Sequence, residues 1–198
     1  MYFKDKNQIR NYIWDLMTQK KIAIFPLPPY GRIPNFTKAK ESARNLRKHP
    51  LYHKANCIFS GPDSTLKPLR DLVLQDGKIL AYATPHMGAF KMIKPQAVKI
   101  DTTIKGLVNS GQELKEKVDL AVIGSVAVDL KGNRLGKGSG YGDQEIEYLR
   151  KNNLLPEEFS LGTLVHSIQI VPDLSPFIQP YDIPVHFILT EKGIIFCR

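Results

Sequence analysis

The sequence predicts an α/β fold with a mainly parallel sheet, on three observations. Short apolar, β-rich segments alternate with amphipathic helical ones along most of the chain, as βαβ units require. The segment VDLAVIGSVAVD (118–129) is apolar almost throughout, the pattern of a strand buried on both faces. A chain of 198 residues can enclose a real core, and residues 1–198 read as a single domain.

Each element follows from local spacing. Over 4–19, Ile9, Ile13 and Leu16 recur at helical intervals, and Trp14 and Met17 widen the face. KIAIF (21–25) is short and β-rich and predicts a buried strand. The following PLPPYGRIPNF (26–36), with four prolines and a glycine, predicts an ordered excursion or flap. A second helix, about 37–48, begins at a Thr37 cap with Glu41 near its first turn. ANCIF (55–59) predicts a strand, 66–76 a helix, and GKILAYA (77–83) another strand. The stretch 84–117 suggests short helices. A helix from about 143 carries Ile146, Leu149 and Arg150 on one side. LGTLVHSIQIV (161–171), IPVHFILT (183–190) and IIFC (194–197) predict the closing strands. Pro172, Pro176, Pro180 and Pro184 mark an irregular connection between them.

Charge is unevenly placed. Residues 1–54 hold 12 basic residues against Asp5, Asp15 and Glu41, while the remaining 144 hold 16 of each sign. That asymmetry fits either a solvated lysine-rich surface or an anionic partner such as a nucleotide, a polyanionic substrate or a nucleic acid. Cys57 and Cys197 are too few for a disulfide framework or a cysteine metal site, which fits a reducing cytoplasm. The start MYFKDKNQIR has no apolar h-region, and the longest apolar stretch is far short of a membrane span. The expectation is a soluble, cytoplasmic protein with no membrane partner.

The densest chemical signal is RLGKGSGYGD (134–143), with glycines at 136, 138, 140 and 142. Ordering four glycines is entropically costly, which argues for a backbone that must approach a ligand closely. A Gly-rich turn between strand and helix presents N–H groups and a helix dipole to an anion, and so suits phosphate. It matches neither a Walker A loop nor a Rossmann fingerprint. A β-turn at Lys131-Gly132-Asn133 leading into a tight connection is the structural alternative. Lys137 could screen phosphate oxygens as a point charge. Asp143 has two readings, a helix N-cap or a carboxylate beside a magnesium ion.

Other candidates are weaker. His49 and His53 lack a nearby carboxylate and suit a helix-end surface better than a metal site. His166 and His186 lie in apolar segments and suit satisfied core histidines. Ser125 has no G-x-S-x-G elbow, which argues against a serine hydrolase. Tyr30 and Arg32 in the proline-rich excursion suit a substrate lid as well as loop packing.

RLGKGSGYGD resembles the R-L-G-x-G-x-G-Y-Y-D signature of the 5-formyltetrahydrofolate cyclo-ligase (methenyltetrahydrofolate synthetase) family. Lys6-Asn7-Gln8-Ile9-Arg10 is similar to its K-x-x-L-R opening, and Leu74-Gln75-Asp76-Gly77-Lys78 to its L-x-x-G-K strand entry. Gln169-Ile170-Val171, Asp182-Ile183-Pro184-Val185-His186 and Thr190-Glu191 stand in for its closing motifs. FPLPPYGRIPNF (25–36) resembles an insertion shared by the subgroup of methenyltetrahydrofolate synthetase domain-containing proteins.

The resemblance implies a three-layer α/β sandwich like that of ribose-5-phosphate isomerase and CoA transferases. It also implies ATP- and Mg2+-dependent conversion of 5-formyltetrahydrofolate to the 5,10-methenyl form through a phosphorylated formyl group. Lys137 and Arg134 would be catalytic. Lys6, Arg10, Gly136, Lys137, Gly138, Ser139, Gly140, Tyr141 and Asp143 would bind ATP, with Asp143 at the metal, and a reduced folate or pterin would be the substrate. Phosphoryl transfer depends on positioning and charge neutralisation, which those residue types supply. The sequence departs from the family at 63–70, where a folate-contacting glutamate has no clear counterpart. It departs again at Gly142-Asp143-Gln144, for the family's Y-D-R, and at His186. A catalytically lapsed relative that holds RNA or a nucleotide on its basic first quarter is the second reading.

Overall fold

The computed structural model describes residues 3–96 and 100–198. The expected segment 84–117 therefore includes three residues, 97–99, that lie outside the described ones. The helices, in chain order, are α1 (Lys6–Gln19), α2 (Ala39–Arg44), α3 (Lys67–Gln75), α4 (Ile104–Asn109) and α5 (Tyr141–Lys151). The strands are β1 (Cys57–Ser60), β2 (Ile79–Ala83), β3 (Phe90–Ile93), β4 (Gln112–Glu113), β5 (Leu120–Gly124), β6 (Ala127–Val128), β7 (Arg134–Leu135), β8 (Ser160–Leu164), β9 (Phe187–Thr190) and β10 (Gly193–Phe196).

Eight strands form one sheet in the order β10-β9-β8-β5-β1-β2-β3-β4, and β6 and β7 pair in a separate small hairpin. The five from β9 to β2 are mutually parallel, while β10, β3 and β4 add antiparallel edges. Alternation along each central strand feeds two cores. Ile58, Leu80, Tyr82, Leu120, Val122 and Leu189 face the side covered by α1, α2, α3 and α4. Phe59, Ala81, Ala121, Ile123, Leu161 and Ile188 face the side covered by α5 through Ile146 and Leu149. Strands coated on both faces must be apolar throughout, as the sequence indicated. The result is the expected three-layer α/β sandwich.

Several elements differ from expectation. KIAIF is not a strand: it makes an isolated bridge, Ala23 to Phe36, and Ile24 and Phe25 are exposed. The excursion after it folds back onto α1 instead. The Trp14 indole N–H donates to the Arg32 carbonyl (3.1 Å), and the Tyr30 hydroxyl donates to Asp15 (2.6 Å). The N-cap of α2 is Lys38, in a left-handed conformation with no side-chain hydrogen bond, so Thr37 does not cap it. The apolar run 118–129 breaks after Gly124, where the chain leaves the main sheet for the β6–β7 hairpin. Buried Gln169 donates from its amide to the Ser125 and Val126 carbonyls freed by that break (2.9 and 3.1 Å). The run 161–171 likewise stops as a strand at Leu164, and β3 and β4 emerge from the stretch expected to be helical.

From β1 the chain passes through α3 to β2 on one side, whereas β5 lies on the other side of β1. The strand order thus reverses between β1 and β5. In open α/β sheets the crevice at the carboxyl ends of such strands is where ligands bind.

Candidate functional site

The glycine loop closes over that crevice. Its base is a tight turn after β6 in which buried Asp129 accepts from the backbone N–H groups of Lys131, Asn133 and Leu174 and from the Asn133 side chain. The structural alternative of a turn at 131–133 is therefore present, and it serves to aim the loop.

α1 reaches the loop from the opposite layer. The Arg10 Nε donates to the Gly136 carbonyl (2.8 Å), and its guanidinium also donates to Asn7 (2.7 Å). Partial burial lowers the Arg10 pKa, against the raising effect of Asp182 and Asp5. Gly138 has a φ of +113°, and a Cβ there would stand 3.8 Å from the Arg10 guanidinium, an ordinary contact distance. One turn earlier Lys6 pairs with Asp182 (2.6 Å), which ties the 179–183 segment to α1.

α5 starts at the loop's end. Its N-cap is Gly140, in a left-handed conformation, so Asp143 is not the cap; it sits inside the first turn. Asp143 Oδ1 accepts from Arg134 (2.7 Å) and from the Ile183 N–H (3.0 Å). Arg134 is nearly fully buried, crosses beneath the first turn of α5, and leaves its Nε without a partner among the described residues. A Cβ on Gly142 would stand 3.0 Å from the Arg134 guanidinium, so a side chain there would require the guanidinium to shift by a few tenths of an ångström.

Two cavities flank the loop. The larger, about 900 Å³, includes Lys6, Arg10, Gly138, Gln144 and Tyr181 in its lining. The smaller, about 160 Å³, lies directly over the switch point and takes Lys137, Ser139 and Tyr141 from the loop side. Arg134, Gly136, Gly140 and Asp143 line both. The residues expected from the sequence are thus brought together around one loop, with Lys6 and Arg10 on one side and Lys137, Ser139 and Tyr141 on the other. The Tyr141 hydroxyl meets His86 Nδ1 (3.1 Å), and the Lys137 ammonium lies 6.0 Å from the Tyr141 ring centroid.

The small cavity holds residues that the sequence reading missed. Asp63, just past β1, and Glu145, in α5, both face it. Burial raises the Asp63 pKa, opposed by Lys137, Arg70 and Arg134. Burial, with the Asp63 carboxylate adding to it, pushes Glu145 up to about 8. Arg70, fully buried on α3, donates to the carbonyls of Gly61, Asp63 and Thr102 and so fixes the loop after β1. Its burial lowers its own pKa to about 10. Ile33 of the proline-rich excursion forms an apolar wall, so that excursion contributes packing to the site through Ile33, not through Tyr30 or Arg32. Two signals point to the acids. Asp63 follows a parallel strand beside the switch point, and Glu145 shares the helical face of Leu149 four residues on.

His49, His166 and His186 line neither cavity. His49 is buried, not on a helix-end surface, and meets the Ser160 hydroxyl (3.2 Å). His186 is exposed instead of buried, and its Nδ1 accepts from the Leu161 N–H (3.0 Å). His166 caps a short turn through Ile168. Ser125 is buried against Thr163 (2.7 Å). No cluster of three or more metal-ligating side chains occurs among the described residues, and no helix there is long and apolar enough to cross a membrane.

Similarity to known proteins runs along nearly the whole chain. The model of the 5-formyltetrahydrofolate cyclo-ligase family matches residues 3–191. The methenyltetrahydrofolate synthase domain-containing protein of Mus musculus is 35% identical over 202 aligned residues, covering 96% of this chain and 54% of the mouse protein. The Homo sapiens protein of the same name is 34% identical, with 96% and 53% covered. The chain spans about half the length of these relatives. Among solved structures, the 5,10-methenyltetrahydrofolate synthetase of Aquifex aeolicus superposes with a TM-score of 0.61 at 22% identity, covering 96% of this chain and 93% of that one. The Mycoplasma pneumoniae synthetase gives 0.57 at 14% identity, with 94% and 98% covered. At such identities the likeness is one of fold.

Proposed function

Because the chain belongs to the 5-formyltetrahydrofolate cyclo-ligase family, we propose that it is a cytoplasmic ATP- and magnesium-dependent cyclo-ligase. Its substrate is 5-formyltetrahydrofolate or a related reduced pterin, and its product is the 5,10-methenyl form. The observation that carries this reading is the docking of Arg10 on the Gly136 carbonyl. That bond gathers cations from the first helix and from the glycine loop around a single concave backbone.

The residues present fit a polyphosphate. Gly138, whose φ of +113° favours glycine, lines the larger cavity beside the Arg10 guanidinium, so backbone and cation face the same space. Lys6, Arg10 and Lys137 supply positive charge, and the loop before α5 supplies N–H groups at a helix N-terminus. Magnesium would be held chiefly by phosphate oxygens and water, with Asp143 Oδ2 as the protein's contribution, since Oδ1 is committed to Arg134 and Ile183. ATP, when bound, supplies the phosphoryl group that makes the formyl oxygen a leaving group. The chain's own task is to hold the formyl group in line with that donor, neutralise charge through Lys137 and Arg134, and keep water from the small cavity.

The test is an ultraviolet assay of methenyl-folate formation from 5-formyltetrahydrofolate and magnesium–ATP. Product forms with the wild type, and Lys137→Ala lowers kcat/KM more than tenfold without lowering Tm. Absence of product at high enzyme concentration refutes the assignment.

One feature favours the second reading, an anion-binding protein. A groove of about 720 Å³ between α2 and α3 is lined by Lys40, Arg44, Arg47 and Lys67. Two of these are already paired, Arg47 with Asp76 and Lys67 with Asp71, which leaves a modest field for RNA. RNA held there would dissociate steeply with added salt.

A further inference from the structure

Away from the glycine loop, the groove of about 720 Å³ between α2 and α3 falls within the size range of ligand pockets. It shares no lining residue with either cavity at the loop. Its apolar lining comes from Pro68, Leu72 and Leu74 of α3 and from Ile100. The walls are fixed by bonds within the chain. Buried Arg70 donates from Nε to the Thr102 carbonyl (2.9 Å), and the Thr102 hydroxyl donates to the Asp71 carboxylate. Arg47 donates from Nε and Nη2 to Asp76, and Lys67 pairs with Asp71 (2.7 Å). A groove held in shape before binding loses little conformational freedom when it is filled.

Two cations of the lining are not engaged in this way. Among the described residues, the ion pairs of the groove take up Arg47 and Lys67 and leave Lys40 and Arg44 unpaired and exposed. These two stand one turn apart on α2, so their side chains reach the same side. Lys40, Arg44, Arg47 and Lys67 together face Asp71 and Asp76, a surplus of two positive charges. A phosphate monoester carries close to two negative charges at neutral pH, and its three acceptor oxygens can be shared by donors from different directions. A single carboxylate brings only one charge. Single-stranded nucleic acid is held by stacking its bases on aromatic rings, and no aromatic side chain lines the groove among the described residues.

We propose that the groove between α2 and α3 is a second anion site, separate from the glycine loop, that takes a small organic phosphate monoester. Lys40 and Arg44 receive the phosphate, and Pro68, Leu72, Leu74 and Ile100 receive an apolar body attached to it. Gln75 and Gln96, also in the lining, offer amide donors and acceptors to polar substituents on that body. The assignment goes beyond the cyclo-ligase reading and does not depend on it. It narrows the anion-binding alternative from a polymer to a small molecule, because two surplus charges neutralise one monoester and are few for a chain of phosphates.

Equilibrium binding to the full chain tests this with four probes: 1-naphthyl phosphate, inorganic phosphate, 1-naphthol and a single-stranded oligouridylate. The wild type binds 1-naphthyl phosphate at least tenfold more tightly than phosphate or naphthol, since charge and ring are then held by one molecule. Lys40→Ser combined with Arg44→Ser weakens that binding at least tenfold, and Lys40→Glu alone weakens it in the same direction, with folding checked by circular dichroism. Lys137→Ala and saturating magnesium–ATP, which act at the glycine loop, change the affinity less than twofold. No binding, phosphate or naphthol binding as tightly as the ester, an affinity that survives both groove variants, or its loss in Lys137→Ala overturns the proposal. Tighter binding of the oligouridylate that is lost in the groove variants also overturns it, in favour of a nucleic-acid surface. The methenyl-folate assay does not read this groove, so either reading can fail while the other stands.

Discussion

Replacing Glu145 by glutamine changes how stability depends on pH, and the structure gives the size of the change. Burial and the Asp63 carboxylate hold Glu145 at about 8 in the folded chain, against an ordinary value of 4.5. Between those values the folded protein keeps a proton on Glu145 that the unfolded chain has released. The folded state then binds more protons than the unfolded state, so stability falls as pH rises through this window and levels off above about 8. Within the window the loss approaches ~1.4 kcal/mol per pH unit. For a domain of this size that corresponds to roughly 3 to 6 °C in Tm per unit. The amide introduced by Glu145→Gln mimics the neutral acid at every pH and removes the dependence. Thermal melts of both proteins from pH 5 to pH 9 should therefore diverge, with the wild type falling below the variant as pH rises and the gap constant beyond about pH 8. Parallel curves across that range, or a gap that widens toward acid, would refute the reasoning.

Three further outcomes are expected. Gly162→Ala places a Cβ 2.2 Å from two ring carbons of Phe187 across the β8–β9 pair, and should cost about 2 to 3 kcal/mol in denaturant unfolding; an unchanged midpoint would contradict that register. Arg134→Gln removes the buried guanidinium on Asp143 and should destabilise by about 3 kcal/mol. Adding Asp143→Asn should recover part of this loss, so strict additivity of the two would show that the pair is not coupled. Arg10→Ala frees the Gly136 carbonyl, and amide exchange over 136–140 should accelerate about tenfold while the interior of α1 is unaffected; unchanged exchange in the loop would remove Arg10 as its anchor.

The parts legible in the sequence are those governed by neighbours along the chain. The spacing of Ile9, Ile13 and Leu16, widened by Trp14 and Met17, marked α1, although Leu16 is only half-buried; uninterrupted apolar runs marked β1, β2, β5 and β9, and the glycine spacing marked the loop before α5. Strand ends and edges were not legible, because a strand exists only where a partner supplies its hydrogen bonds. KIAIF has β-rich residues and no edge to join, whereas QE at 112–113 has little β character and pairs with β3. The same division runs through the site. That Lys6, Arg10 and Lys137 are cations, and that glycines keep the loop open, is written in the residues themselves. That Arg10 crosses from one layer to hold Gly136, that Arg134 lies beneath α5, and that Asp63 and Glu145 face each other's space comes from strand order. Side chains more than a few residues apart acquire a common environment only when the sheet brings β1, β5 and α5 together, and burial there turns two carboxyl groups toward one small cavity that other side chains leave open.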